Sequence, residues 1–406
     1  MELRFNDFNK SQNPYANRFH NKLKEKGANF ATGIPCGVLK YFINNFEIDK
    51  NFIHLPAQSE PEAVGIAAGA YLGSKIPVVY MQNSGMLKST NEISSLLIPC
   101  EIPFLFVVTY RGCSGENTPQ HLVGGKLTKK VLEQLDIFYK ELEEDNIEET
   151  VSGSYDFINE KKKPAVILIK RGWSSYKGKS NETSSEPKIP NKRLEYGSKS
   201  VISNILSKVY NRTSKSSKKM KREVALDSII NSTSSGDAIF STTGLISRSL
   251  YERYDSPNQF YNVGSFGLVS SLGLGFAVSK PKTRTIVIDG DASILTNFGT
   301  LVTIGYSNPK NLTHIVLDNN AYASCTEEIS CSDTAKIPFV AALQGYSAVY
   351  IVNTEEGLKE AIEESKEVEG PILINTYIGL GGRRDFKRPL NLPYITKRFK
   401  NYFNEK

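Results

Sequence analysis

Residues 284–324 read RTIVIDGDASILTNFGTLVTIGYSNPKNLTHIVLDNNAYAS, and the reading of this stretch decides the fold. Thr285–Ile288 is a short β-branched run, and Asp289, Gly290 and Asp291 follow it directly, so a carboxylate emerges where a buried strand gives way to a turn. The pattern predicts a helix over Leu295–Thr303, a break at Ser307–Asn311, and a second buried strand over His314–Leu317 that ends in Asp318-Asn319-Asn320. Two strands then deliver Asp291 and Asn319 to one sheet edge, the place where open α/β folds bind ligands. A hard divalent ion such as Mg2+ takes oxygen ligands and keeps positions for phosphate oxygens and water. Asp291 and Asn319 supply two such oxygens, while the small residues Gly290, Ala292 and Ser293 let main-chain N–H groups approach an anion.

The triplet Gly290-Asp291-Ala292, followed after residues 293–317 by Asp318-Asn319, resembles the GDG…N motif of thiamine-diphosphate-dependent enzymes. The phrases MQNSG (81–85), PQH (119–121), STTG (241–244), GSFG (264–267) and NLTHIVLDN (311–319) resemble one branch of them, the phosphonopyruvate decarboxylases, with sulfopyruvate decarboxylase a close relative. The resemblance covers roughly residues 25–175 and 222–390. It implies Mg2+ on Asp291, Asn319 and the main-chain oxygen of Ala321, and thiamine diphosphate held by Asn83, Thr242, Thr243, Gly244, Gly264, Ser265, Gly267, Gly290, Asp291, Ala292, Ser293, Asn319, Ala321 and Tyr322. Glu60, in AQSEPEAV, matches the acidic residue that hydrogen-bonds the aminopyrimidine ring and promotes its imino form. His121 is the other catalytic candidate, and Gly33, Pro35, Cys36, Ser84 and Arg111 are candidates for the substrate side. The helix-terminal position of Glu60 and Glu62 is also what the helix dipole alone would favour.

Length and composition agree with an ordinary globular chain: 406 residues, 39% hydrophobic, net charge +7. No apolar run approaches the roughly 20 residues of a membrane span, and the N-terminus MELRFNDFNKSQNPY has no apolar signal core, so a cytoplasmic location without a membrane partner is expected. The cysteines at 36, 100, 113, 325 and 331 form no CxxC pair, which argues against a zinc site or a disulfide framework. The basic run KSSKKMKR (215–222) lacks interleaved aromatic residues, so it reads as a solvated face and no nucleic-acid partner is expected.

In chain order, residues 1–20 read as a polar arm, 21–171 as a pyrimidine-binding domain, 172–222 as a Ser/Lys/Asn-rich linker with one helical segment near Leu194–Tyr210, 223–395 as a diphosphate-binding domain and 396–406 as a tail. Each half shows βαβ repetition, hence two open parallel-sheet α/β domains of thiamine-diphosphate-enzyme type with no middle domain. LGLGF (272–276) sits in a helical context and reads as close helix–sheet packing, not as a dinucleotide fingerprint. The resemblance implies a homodimer or homotetramer with active sites at the subunit interface.

Several substrate-side positions depart from the branch pattern. Cys36 and Leu268 stand where Asp and His are usual, Asn117-Thr118 where an Asp-Glu pair is usual, Tyr322 in place of a His, and CTEE (325–328) in place of a Gly-rich loop. Ala292 replaces the third motif glycine and still permits close approach of the main chain. The expected activity is decarboxylation of phosphonopyruvate to phosphonoacetaldehyde, with Arg111, His121 and the GLGGRRDFKRP segment (Gly381, Gly382, Arg383, Arg384, Arg388) as candidate anion partners. Sulfopyruvate or another 2-oxo acid, carboligation on the same cofactor, and a catalytically silent binding subunit are the alternatives.

Overall fold

The computed structural model describes residues 13–113, 115–173, 199–215 and 219–404. The chain divides into two compact units: the residues up to 178 together with 391–406, and residues 179–390.

The first unit holds six parallel strands, β1 (Phe30–Gly33), β2 (Ile53–Pro56), β3 (Pro77–Gln82), β4 (Leu105–Tyr110), β5 (Phe138–Glu141) and β6 (Ala165–Lys170), in the order β2-β1-β3-β4-β6-β5. β3, β4 and β6 are buried almost throughout, which is why they read as continuous apolar runs and not as alternating ones. In the second unit β7 (Val209–Arg212), β8 (Ala238–Ser241), β9 (Gln259–Tyr261), β10 (Thr285–Gly290), β11 (Leu312–Asp318), β12 (Ala348–Val352) and β13 (Ile372–Tyr377) run β7-β12-β13-β11-β10-β8-β9, again all parallel. With β7 set aside, both sheets have one strand order, each unit's second strand lying outside its first and its sixth lying between the fourth and fifth. Crossovers therefore diverge between β1 and β3 in one sheet and between β8 and β10 in the other, which opens a crevice at the carboxyl ends of those strands.

The helices explain the positions of key residues. Glu60–Leu72 starts at the N-cap Ser59, whose Oγ accepts the Glu62 N–H at 3.3 Å, with Pro61 in the first turn. Its Ala/Gly-rich body is buried, and Glu60 stands at the β2 end of the sheet. Val269–Ser279 carries the LGLGF segment, and a Cβ on Gly273 would fall 2.1 Å from Val287 Cγ2 of β10, so the glycine serves helix–sheet approach as read.

Four expectations change. The helix over 295–303 is two helices, Asp291–Thr296 and Thr300–Ser307, because Asn297 leaves helical geometry and its amide donates to Ser271 Oγ at 3.0 Å. The arm 1–20 gives way at Pro14 to a helix, Pro14–Glu25, that buries Phe19 and Leu23. The end of the 172–222 segment is helix Lys199–Leu206 plus β7, an edge strand paired with β12, while residues 174–198 lie outside the described residues. Finally, Leu392–Asn404, read as a domain end and tail, is an amphipathic helix grouped with the first unit. It buries Ile395, Phe399 and Phe403, sets Lys400 Nζ 3.6 Å from the Tyr71 ring centroid, and joins Asn404 to Ser74 by a hydrogen bond.

One apolar cluster carries titratable groups. His20 and His54 sit among Phe46, Phe52 and Tyr80, with His54 Nε2 2.7 Å from Tyr80 Oη. Burial lowers both imidazole pKa values, that of His54 to about 4. A folded pKa below the unfolded 6.5 means that the unfolded chain binds the proton first, so stability holds above pH 6.5 and falls as pH drops toward 4. Between pH 7 and 4.5 His54 alone should account for a loss of about 2 kcal/mol. Urea melts of wild type and His54→Phe at the two pH values test this: the variant should lose less by about that amount, and equal losses would remove His54 from the acid limb. No helix among the described residues is long and apolar enough to cross a membrane.

Candidate active site

In the second unit β8 and β10 end beside one another at the crevice, and a cleft opens there. Its lining includes Thr242, Thr243, Gly290, Asp291, Ala292, Ser293, Asn319, Ala321 and Tyr322, all named from the sequence, together with Arg222, Phe266, Leu317, Ser324 and Ile378. Thr242 Oγ1 and Ser293 Oγ are 2.8 Å apart across the two strand ends, and Thr243 Oγ1 donates to the Val263 carbonyl at 2.6 Å, tying the β8 end to the GSFG loop. In that loop Gly267 has φ 92°, and a Cβ on it would fall 2.0 Å from Thr296 Oγ1, so only glycine lets the loop close on the Asp291–Thr296 helix. Gly264, Ser265 and Gly267 shape this loop while Phe266 reaches the cleft, and Gly244, at φ 96°, caps the Leu245–Tyr254 helix without lining it.

Asp291 is 3% exposed. Burial pushes its carboxyl up to about 6, against hydrogen bonds from Ser330 Oγ and from the Asn319 and Ala292 N–H groups, with buried Asp318 adding to the rise. Asp318 is raised mainly by burial too, and is held by Ser332 Oγ at 2.7 Å and Asn320 N–H at 3.0 Å. Asn319 Oδ1 accepts the Ala321 N–H at 3.0 Å, which fixes the turn after β11. Among the described residues there is no cluster of three or more His, Cys, Asp and Glu able to hold a metal. One carboxylate, one carboxamide oxygen and one main-chain oxygen is nevertheless a hard-oxygen set that suits Mg2+, provided a phosphate ligand supplies further oxygens. A buried carboxylate that resists ionisation in the protein alone is what a divalent cation would relieve. The residues thus fit thiamine diphosphate with Mg2+.

In the first unit Glu60 is mostly buried, with Oε2 3.3 Å from Lys88 Nζ. Gly85 of the MQNSG phrase gives it room: a Cβ there would stand 2.3 Å from Glu60 Cγ and 2.6 Å from Oε1. Cys36 accepts from Thr109 Oγ1 at 3.5 Å and lies 3.9 Å from Gln82 Oε1, while the Gln82 amide donates to Ser84 Oγ at 2.9 Å. Gly33 is in contact with Tyr80, where a Cβ would meet the main-chain oxygen at 1.9 Å, and Pro35 is exposed at the same edge. The structure therefore gathers Cys36, Gln82 and Ser84 at the β1/β3 crevice.

Three assignments look different in place. Asn83, 2% exposed, gives its amide to the Arg111 carbonyl and Thr128 Oγ1, both at 2.9 Å, and its oxygen takes the Arg111 N–H at 3.3 Å, so it braces the β3 and β4 ends. Arg111 and His121 are both held by Glu116: Arg111 Nη2 at 2.6 Å, Arg111 Nε at 3.0 Å, the Gly112 N–H at 2.9 Å and His121 Nδ1 at 2.7 Å converge on its carboxylate. The guanidinium keeps that carboxyl far below the usual range. Arg111 Nε and Nη2 and His121 Nδ1 are thus turned to Glu116 in this structure. In the GLGGRRDFKRP segment Arg383 pairs with Asp385 and Arg384 with Glu327, both at the surface. Sequence reasoning missed Glu116, although it stands directly before Asn117-Thr118, and missed Gln82 and Ser330, which bonds Asp291 from 39 residues away; Arg222, read as the end of a solvated basic run, is instead 5% exposed and lines the cleft.

Residues 242–376 match the family model of the thiamine pyrophosphate enzyme C-terminal, TPP-binding domain. A protein named phosphonopyruvate decarboxylase from Streptomyces viridochromogenes is 30% identical over 380 residues, covering 93% of this chain and 91% of that one. From Methanocaldococcus jannaschii, sulfopyruvate decarboxylase subunit alpha is 40% identical over 118 residues (29% of this chain, 70% of that one) and subunit beta 37% over 150 residues (36% and 79%). A solved structure described as a thiamin diphosphate-dependent enzyme from Mycobacterium smegmatis aligns with TM-score 0.66 at 10% identity, over 91% of this chain and all of that one, a likeness of fold.

Proposed function

The chain belongs to the phosphonopyruvate decarboxylase family of thiamine-diphosphate-dependent 2-oxo acid decarboxylases, and from that premise we propose that its own substrate is phosphonopyruvate, converted with Mg2+ to phosphonoacetaldehyde and carbon dioxide. The observation that carries the reading is the cleft at the β8/β10 crevice, where Asp291 and Asn319 present hard oxygen donors beside the Thr242, Thr243 and Ser293 hydroxyls. When bound, the cofactor supplies an electron sink for the bond to the departing carboxyl carbon. Asp291, Asn319 and the Ala321 carbonyl would hold the cation, and Ser293 and Thr242 would offer hydroxyl donors to the diphosphate's anionic oxygens. Glu60 holds a proton toward the aminopyrimidine, in the seat that Gly85 leaves for it. Cys36, Gln82 and Ser84 face the 2-oxo acid, and His121 donates or takes a proton once released from Glu116.

The assembly we infer is a homodimer or homotetramer with its active sites at the subunit interface, and light scattering reads it directly. Relatives that occur as separate alpha and beta subunits support reading this chain as the two joined in one.

The substrate assignment is tested by competition of phosphonopyruvate, sulfopyruvate and pyruvate in a single assay. We expect phosphonopyruvate to lead in kcat/KM, and to lead sulfopyruvate by less than it leads pyruvate, since both carry a carboxylate and a second tetrahedral anion and differ by one charge and one protonatable oxygen. A lead for pyruvate would sink the idea of a doubly anionic substrate; a lead for sulfopyruvate would keep the chemistry and change the substrate.

A further inference from the structure

Arg222 is the one cation among the residues that line the cleft, as Asp291 is the one carboxylate. It opens the Arg222–Asn231 helix and is 5% exposed. One nitrogen of its guanidinium is committed: Nη2 donates to Glu223 Oε1 and to the Arg383 carbonyl, each at 2.6 Å. Glu223 is itself held, since its Oε1 accepts the Arg383 N–H at 3.1 Å. Gly382, at φ 99°, lies so close that a Cβ would fall 2.6 Å from that oxygen. The guanidinium is therefore fixed in place from behind. The neighbouring Nε is not satisfied: it is buried and has no hydrogen-bond partner among the described residues. Buried N–H groups on charged side chains are rarely left so, because desolvation without an acceptor is costly.

A structural ion pair with Glu223 accounts for Nη2 and leaves both the unpartnered Nε and the place in the cleft lining unexplained. We propose that Arg222 is an anion-binding residue of the cleft, giving N–H groups not taken up by Glu223 and the Arg383 carbonyl to an oxygen of a bound phosphate, phosphonate or carboxylate. The assignment rests on reading the cleft as the thiamine-diphosphate site. It replaces the exposed, ion-paired Arg383 and Arg384 with a buried, preorganised cation as the partner of a ligand's negative charge. The anion comes either from the diphosphate or from the 2-oxo acid.

The test is calorimetric titration of inorganic diphosphate and of thiamine diphosphate, each with Mg2+, into wild type and Arg222→Met, followed by KM for phosphonopyruvate and pyruvate. A loss of tenfold or more in affinity for both diphosphates assigns the anion to the cofactor. Unchanged diphosphate affinity with a tenfold rise in KM for phosphonopyruvate assigns it to the substrate. Unchanged affinities and unchanged KM values overturn the proposal. Should circular dichroism show that the methionine variant does not fold, Arg222→Lys is read in its place: it keeps the charge and loses the fork, so a several-fold weakening is expected and wild-type binding overturns the proposal. Wild type that binds no thiamine diphosphate would count against the cofactor reading itself and not against Arg222.

Discussion

Asp291→Ala should abolish Mg2+-dependent retention of thiamine diphosphate while leaving the folded protein intact. The expected loss of cofactor affinity is on the order of 10²-fold or more, about 3 kcal/mol at 1.4 kcal/mol per tenfold step, because the methyl group removes the single charged protein ligand from a cation that would bridge to the diphosphate. The sign without cofactor is opposite. The Asp291 pKa, raised to about 6, means that its contribution to stability is fully present below the unfolded value of 3.8 and lost as pH rises through 6. At neutral pH the ionised carboxylate thus opposes folding by roughly 3 kcal/mol, and alanine relieves that, less the bond to Ser330. Melting temperatures with and without Mg2+ and thiamine diphosphate separate the two effects: the metal-free protein should melt no lower than wild type, and the ligand-induced rise should vanish. A variant with the full rise would take Asp291 out of the metal set.

The second large effect is expected at Glu60. Glu60→Gln keeps size and hydrogen-bonding capacity but cannot support the imino form of the aminopyrimidine, so exchange of the cofactor's C2 proton should slow by about 10²–10⁴-fold with cofactor binding near that of wild type. The geometry favours a clean result. The side chain sits in the space left by Gly85, and its contact with Lys88 is a half-exposed ion pair of little energetic weight, so the amide can occupy the same seat. Deuterium exchange at C2 followed by NMR gives the rate; wild-type exchange in the variant would exclude Glu60 from proton transfer.

How far the sequence discloses the site depends on distance along the chain. Asp291 and Asn319 were legible because one βαβ unit separates them, and a buried strand followed by a small-residue turn is a local pattern. The start of the Glu60 helix was legible through its cap and its Ala/Gly-rich body, while the role of Glu60 came from the resemblance alone, since the helix dipole would favour an acidic residue there in any case. The two sheets were legible as continuous apolar runs, although their shared strand order was not, since crossovers skip neighbours without leaving a mark in the residues. Ser330 escaped because tertiary folding alone brings it to Asp291, and Arg222 reads as part of a solvated face because only tertiary folding buries it in the cleft lining. Glu116 escaped for another reason: attention to Asn117-Thr118, where acidic residues were expected, passed over the carboxylate one residue earlier, which loops back onto Arg111 and His121. The misplaced ending at 395 has the same origin as Arg222, an amphipathic helix whose apolar stripe says that it is covered but not by what.

That last helix sets an order of events during synthesis. The second unit, residues 179–390, is interposed between the strands of the first and the Leu392–Asn404 helix that lies with them. A ribosome making about 5–20 residues per second needs roughly 10–40 s to pass from β6 to that helix. Through this interval the nascent first unit holds its six strands but lacks Phe399, Phe403 and the lysine that caps Tyr71, while the unit begun later can already close. The half of the protein made first is finished last.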